Sequence, residues 1–183
     1  MRERLRTVWC QDRSFAGRRV EAGEAFDVAI LTVPIMDELI KQGKIVANTR
    51  VDVARGGMGL AVRAGSPKSD VSSAEALKRT LLGATPIAYP KEGLPGINFT
   101  RVQERLGIDE AIKPKARLTG SESPADLVAR GEVEIAVHII PELVAVKGVE
   151  LLGPFPPDLQ IYIVLPGGVG VAAREPQAAR DLL

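Results

Sequence analysis

Short apolar runs alternating with segments of helical periodicity constrain this chain more than any other feature. Residues 27–31 (DVAIL) form a run without polar alternation, the pattern of a buried parallel strand. Pro34 then opens a helical segment with Ile35, Leu39 and Ile40 on one face, and Gly43 closes it. The same grammar recurs along the sequence. Strands are expected at residues 58–63, 85–90, 115–120, 149–155 and 159–167, and in the stretch after Gly131 that contains EIAVHII. Helices are expected at residues 72–83, 97–107, 123–131 and 174–183, and from Arg18 to Ala22 ahead of Gly23. Ser72 or Ser73 caps the helix over 72–83, with Glu75 in capping-box spacing from Ser72. Strands that alternate with short helices argue for a parallel α/β construction. Residues 1–12 (MRERLRTVWCQD) follow neither pattern and read as irregular.

Composition narrows the function classes. The chain has 183 residues, 45% of them hydrophobic, enough to bury a core in one large domain or two small ones. A net charge of +1 gives no electrostatic footprint for nucleic acid, and aromatics at 4% provide no base-stacking surface. Cys10 is the only cysteine and His138 the only histidine. An internal disulfide is therefore impossible, and a structural zinc site lacks its four soft ligands. A thiol nucleophile at Cys10 is disfavoured, because no helix dipole is expected beside it to lower its pKa. No apolar run reaches the ~18 residues of a membrane span. The basic start is not followed by the apolar stretch of a secretory signal. No cofactor fingerprint occurs.

The candidate chemistry sits where strands turn into helices. In residues 88–100 (AYPKEGLPGINFT) a strand, a loop and a helix follow one another. Ligands bind at such carboxyl-end crevices in open α/β sheets. The amides of Gly96, Ile97 and Asn98 are expected in the first helical turn, without intrahelical partners and at the positive end of the macrodipole. Pro95 stiffens the approach, Gly96 admits a ligand close to the backbone, and Lys91 adds positive charge. The competing reading is a plain turn that starts a helix. Residues 119–131 (TGSESPADLVARG) repeat the pattern. Ser123 is the expected helix cap, and Ser121 stands one step further out. Ser14 lies ahead of the first helical stretch as a cap or a ligand hydroxyl, with Arg18 and Arg19 on what reads as a solvated helix face. His138 ends an apolar strand, as a structural residue or as a ligand contact and proton carrier. Glu132 and Glu134 read as a solvated turn. No carboxylate pair suits acid–base work.

Taken in order, VEAGEAFDVAILT, IKQGKIV, RGGMGLAVRAG, LPGINFTRVQERLGI, LVARGEVEIAVHIIPEL and GVELLGPFPPDLQIYIV resemble the type II periplasmic solute-binding proteins, most closely their molybdate-binding branch. The resemblance covers residues 14–183. It implies an α/β fold of two lobes joined by two crossings, with the ligand in the cleft. The crossings fall near residues 59–64 and 160–166. The second lobe spans 65–159, and the first comprises 1–62 with 161–183. The implied ligand contacts are Ser14, Pro95, Gly96 and Ser121, and a tyrosine of that branch falls on His138. No cofactor and no metal is implied. The implied partners are a small anionic ligand and an ABC transporter permease. The implied location is periplasmic, or cytoplasmic if the reading frame is complete without a signal peptide. Some relatives resemble aconitate isomerase, an enzyme that moves a proton on a tricarboxylate, and there His138 is the natural proton carrier. The family's first strand–helix unit and the end of its last helix have no counterpart here. The expected first lobe is thus incomplete, and either weakened, completed by a second copy, or part of a relic that binds nothing.

Overall fold

The computed structural model describes residues 6–9, 20 and 23–183. The chain divides into two compact units, Met1–Arg55 with Val164–Leu183, and Gly56–Ile163. The expected crossing at 59–64 lies beyond the first boundary, because Met58 to Arg63 pair with strands of the second unit.

In the first unit, β1 (Thr7–Trp9) runs parallel to β2 (Val28–Ile30), with Thr7 opposite Val28. The expectation that this N-terminal stretch is irregular is corrected: three residues are too few to show a period, yet they pair. β2 is antiparallel to β8 (Tyr162–Val169), with Val28 opposite Val169. Helix α1 (Val33–Lys41) carries Pro34 in its first turn and buries Ile35, Met36 and Leu39, while Ile40 is half-buried against the same cluster. Val20, Phe26, Leu31 and Ile45 complete that core. The helix expected at 18–22 falls largely outside the described residues.

Asp27, at the entrance of β2, is 2% exposed. Its carboxylate accepts from the Arg6 amide (2.9 Å), the Arg6 guanidinium (3.3 and 3.4 Å) and the Arg174 amide (2.6 Å). Burial opposes its charge, but the bonds from Arg6 and then from Arg174 and Glu175 prevail and hold its pKa at about 2.

The second unit is built around parallel strands β4 (Ile87–Pro90), β5 (Ala116–Thr119) and β6 (Ile135–Ile139), with β4 between the other two. β3 (Val51–Arg63) joins β6 antiparallel and pairs on its other side with β7 (Val149–Pro154). β3 starts at Val51 rather than at the expected residue 58, because residues 51–55 are exposed and carry no apolar run. β8 starts at Tyr162 rather than 159, where the chain is still turning. The helices are α2 (Ala74–Gly83), α3 (Gly93–Leu106), α4 (Asp109–Ile112), α5 (Pro124–Ala129) and α6 (Ile140–Val144); α7 (Pro176–Leu182) belongs to the first unit. One buried layer joins Ala61, Ala88 and Ala136 to Ala125, Leu127 and Val128 of α5. Another contains Tyr89, Phe99 and Phe155, with ring centroids 4.9 Å apart for the first pair and 6.1 Å for the second.

Polar side chains finish what the backbone leaves open. Ser73 caps α2, accepting from the Ala76 amide at 3.2 Å, so Glu75 stands too early in the helix for the capping box drawn with Ser72. At the other end of α2, the Lys115 ammonium donates to the carbonyls of Leu81, Leu82 and Ala84 at 2.7, 2.6 and 2.8 Å. Lys78 returns the arrangement from α2, donating to Leu106 at the end of α3 (2.8 Å). A cation at a helix C-terminus satisfies orphan carbonyls and the negative dipole end together. Gln160 joins two segments far apart in sequence. Its Oε1 accepts from the Met58 amide at 2.7 Å, and its Nε2 donates to the Met58 carbonyl at 3.0 Å.

Candidate functional site at the carboxyl edge of the second unit

Because β4, β5 and β6 are parallel and adjacent, the segments that follow them emerge at one edge. Pro90 is level with Thr119, and Ala88 with Ala136, which puts His138 on the same row as Pro90. Four of the expected site residues, Pro95, Gly96, Ser121 and His138, thereby follow or end neighbouring strands at the edge where open α/β sheets bind ligands. Ser14, Arg18 and Arg19 lie outside the described residues.

The opening loop differs from expectation in one respect that changes its chemistry. Helix α3 begins at Gly93, with Glu92 as the cap residue and no side-chain capping bond. The amides of Gly96, Ile97 and Asn98 therefore fall far enough into the helix to be paired with carbonyls four residues back. The expectation that they are bare is corrected. The unpaired set moves upstream to Gly93 and Leu94, since Pro95 has no N–H. The sequence reading took Pro95 for the approach to a helix, but it stands third in the helix. Gly93 adopts φ +80°, a left-handed conformation that costs a glycine little. Gly96 has a packing reason to be glycine: a Cβ there would lie 2.2 Å from the carbonyl oxygen of Pro90. Ile97 is 44% exposed, and Asn98 is buried. Lys91 ties the loop to β5, its amide donating to the Thr119 carbonyl at 2.9 Å.

On the neighbouring strands, Ser123 caps α5 through the Ala125 amide at 3.3 Å, as expected, and Ser121 is exposed one step before it. His138 is buried in β6 opposite Gly59 of β3. Side chains two apart on a strand share a face, so His138 lies on the face of Ala136, which is covered by α5. By the same register Thr119, also buried, lies on that face at the same level. Sequence reasoning passed over Thr119, because a threonine at the end of a strand carries no signal until the register is known.

Charge at this edge is mixed: Glu92 caps α3, and Asp126 and Glu142 stand in the first turns of α5 and α6. The first turn of α3 contains no acidic residue. Glu122 and Glu132 are both tied to Arg130, at 2.6 and 2.5 Å. These bonds raise the pKa of Arg130 and lower that of Glu132, so Arg130 offsets these two acids, while Asp126 stands in the first turn of α5. The edge thus brings the N-terminus of α3, the exposed Ser121 and the buried His138 to neighbouring strand ends. Among the described residues no cluster of three or more histidine, cysteine or acidic side chains is arranged to hold a metal. No helix among them is long and apolar enough to cross a membrane.

Comparison with known proteins bears on this arrangement. The family model described as "Bacterial extracellular solute-binding protein" matches residues 15–183. The chain is 32% identical over 166 residues to an aconitate isomerase from a Pseudomonas species, covering 90% of this chain and 63% of that protein. It therefore spans less than two thirds of the length of the curated relative. Among solved structures, the periplasmic molybdate-binding protein of Azotobacter vinelandii is similar with a TM-score of 0.69 at 17% identity, over 90% of this chain and 73% of that one. The substrate-binding protein of an ABC transporter from Agrobacterium tumefaciens is similar with a TM-score of 0.60 at 14% identity, over 89% and 60%. At these identities the structural likeness shows the fold, that of the two-lobed periplasmic binding proteins.

Proposed function

Because the chain belongs to the bacterial extracellular solute-binding protein family, we propose that it binds a small oxyanion of the molybdate type, or a carboxylate, and delivers it to an ABC-type permease outside the cytoplasm. The carboxyl edge of the second unit supplies the receptor. Gly93 and Leu94 offer amides, Ser121 a hydroxyl, and His138 an imidazole. Pro95, Gly96, Ile97 and Asn98 shape the helix that presents them. Ser14 is proposed as the contribution of the first unit. The observation that carries the reading is the convergence of three strand ends on one edge, together with a first turn of α3, after the Glu92 cap, that holds no acidic residue. Calorimetric titration with molybdate, tungstate, sulfate, citrate and aconitate tests it. One anion is expected to bind with saturation, and a ligand at 100 times its Kd raises stability by about 2.7 kcal/mol. Absence of binding by every anion in the series overturns the reading.

A second reading is favoured by the 32% identity to an aconitate isomerase, which exceeds the identity to either binding protein above. In that version the carboxyl edge holds a tricarboxylate, and His138 takes a proton from one carbon and returns one to another. His138→Ala separates the two readings. A binding protein keeps an affinity within about tenfold, whereas an isomerase loses turnover by the 10²–10⁴-fold typical of a general base. Proton NMR of aconitate incubated with each protein measures this directly.

A further inference from the structure

A cavity of about 640 Å³ lies on the second unit, away from the carboxyl edge. Glu134 and Ile135 line it, at the start of the strand whose far end carries His138. Its size falls in the range of small-molecule sites. Its walls carry charges of both signs, Arg79 on α2 and the carboxylates of Asp70 and Glu134.

Each carboxylate is held in place through one oxygen. Asp70 accepts from the Ser72 amide at 2.9 Å, and Glu134 from the Thr85 amide at 2.8 Å. Arg79 acts on Asp70 through space and takes part in none of the ion pairs of this unit. Lys68 pairs with Glu150 at 3.2 Å, and Lys115, which caps α2, also acts on Glu134 through space. A guanidinium and two carboxylates thus line one open space without forming an ion pair with each other, with the hydroxyls of Ser66 and Ser69 beside them. A ligand carrying both charges completes such a site, its carboxylate on the guanidinium and its ammonium on the two carboxylates.

We propose that this cavity is a second binding site, separate from the carboxyl edge, for a small zwitterion of the α-amino acid class. The proposal is independent of the function assigned to the edge.

The test is an amide-resolved NMR titration of the full chain with glycine and L-serine, and with methylamine and acetate as the separate halves. The amino acids are expected to move the amides of Ser69, Asp70 and Glu134 with saturation, leaving those of Gly93, Leu94 and Ser121 in place. Arg79→Gln and Glu134→Gln are each expected to weaken binding at least about tenfold, and each half to bind at least about tenfold more weakly than the whole. Both substitutions are on exposed side chains, and the spectra report whether the fold is retained. The proposal is overturned if neither amino acid shifts these amides, if Arg79→Gln binds as the parent does, if acetate alone matches glycine, or if the amino acids shift the carboxyl-edge amides instead.

Discussion

The two units reach stability by different means. The second is one continuous stretch of chain, with apolar layers on both faces of its parallel strands and surface charges used to finish helix ends. The first is assembled from two distant stretches, and a buried carboxylate ties them: Asp27 holds Arg6 from one and Arg174 from the other. A continuous unit relies on hydrophobic burial, which is insensitive to pH. A spliced unit of this kind has a joint whose strength depends on the charge of a single group.

The largest expected effect breaks that joint. Asp27→Ala leaves the Arg6 guanidinium and the Arg174 amide without their acceptor, at a cost of about 3 kcal/mol. The loss is read as faster amide exchange in β2 and α1 of the first unit, while amide exchange in β4 to β6 is expected to stay unchanged. Equal destabilisation of both units refutes the contrast.

The converse test is Gly96→Ala. The added Cβ meets the Pro90 carbonyl and forces α3 away from β4, costing about 2 kcal/mol, with the loss confined to exchange in the second unit.

Acid sharpens the comparison with a smaller effect. The folded pKa of Asp27, about 2, lies below the ordinary aspartate value of 3.8. Its contribution, on the order of 2 kcal/mol, is complete above the unfolded pKa and is lost as pH falls through the folded one. The NMR amide signals of β2 and α1 are expected to show the first unit weakening between about pH 4 and pH 2 ahead of the second. Simultaneous acid transitions count against this account. The smallest effect belongs to the lysine cap. Lys115→Met removes three bonds to the end of α2 and is expected to cost about 1 kcal/mol, read as faster exchange in its last turn.

Much of the fold was legible because burial and periodicity coincide. Residues 27–31 read as a strand since β2 is fully buried, and α1 read as a helix since Ile35 and Leu39 repeat on its inner face. The first part of β3 was illegible for the opposite reason: it is exposed, and its residues obey no pattern set by a core. At the carboxyl edge, sequence grammar misplaced the start of α3 and so named different amides as unpaired. It placed the start of α3 after Pro95, whereas a left-handed Gly93 lets the helix begin earlier. The level of Thr119 with Pro90 depends on register between strands remote in sequence, which no local pattern encodes.

The carboxamide of Gln160 bonds both the amide and the carbonyl of Met58, beside the main-chain bonds that Met58 makes with Ile161 and Phe155. A side chain here doubles a main-chain pairing, so part of the strength of this joint is written in one replaceable codon. Glutamate in its place turns a donor into an acceptor facing the carbonyls of Met58 and Phe155, a repulsive pairing introduced by the exchange of a single nitrogen for oxygen.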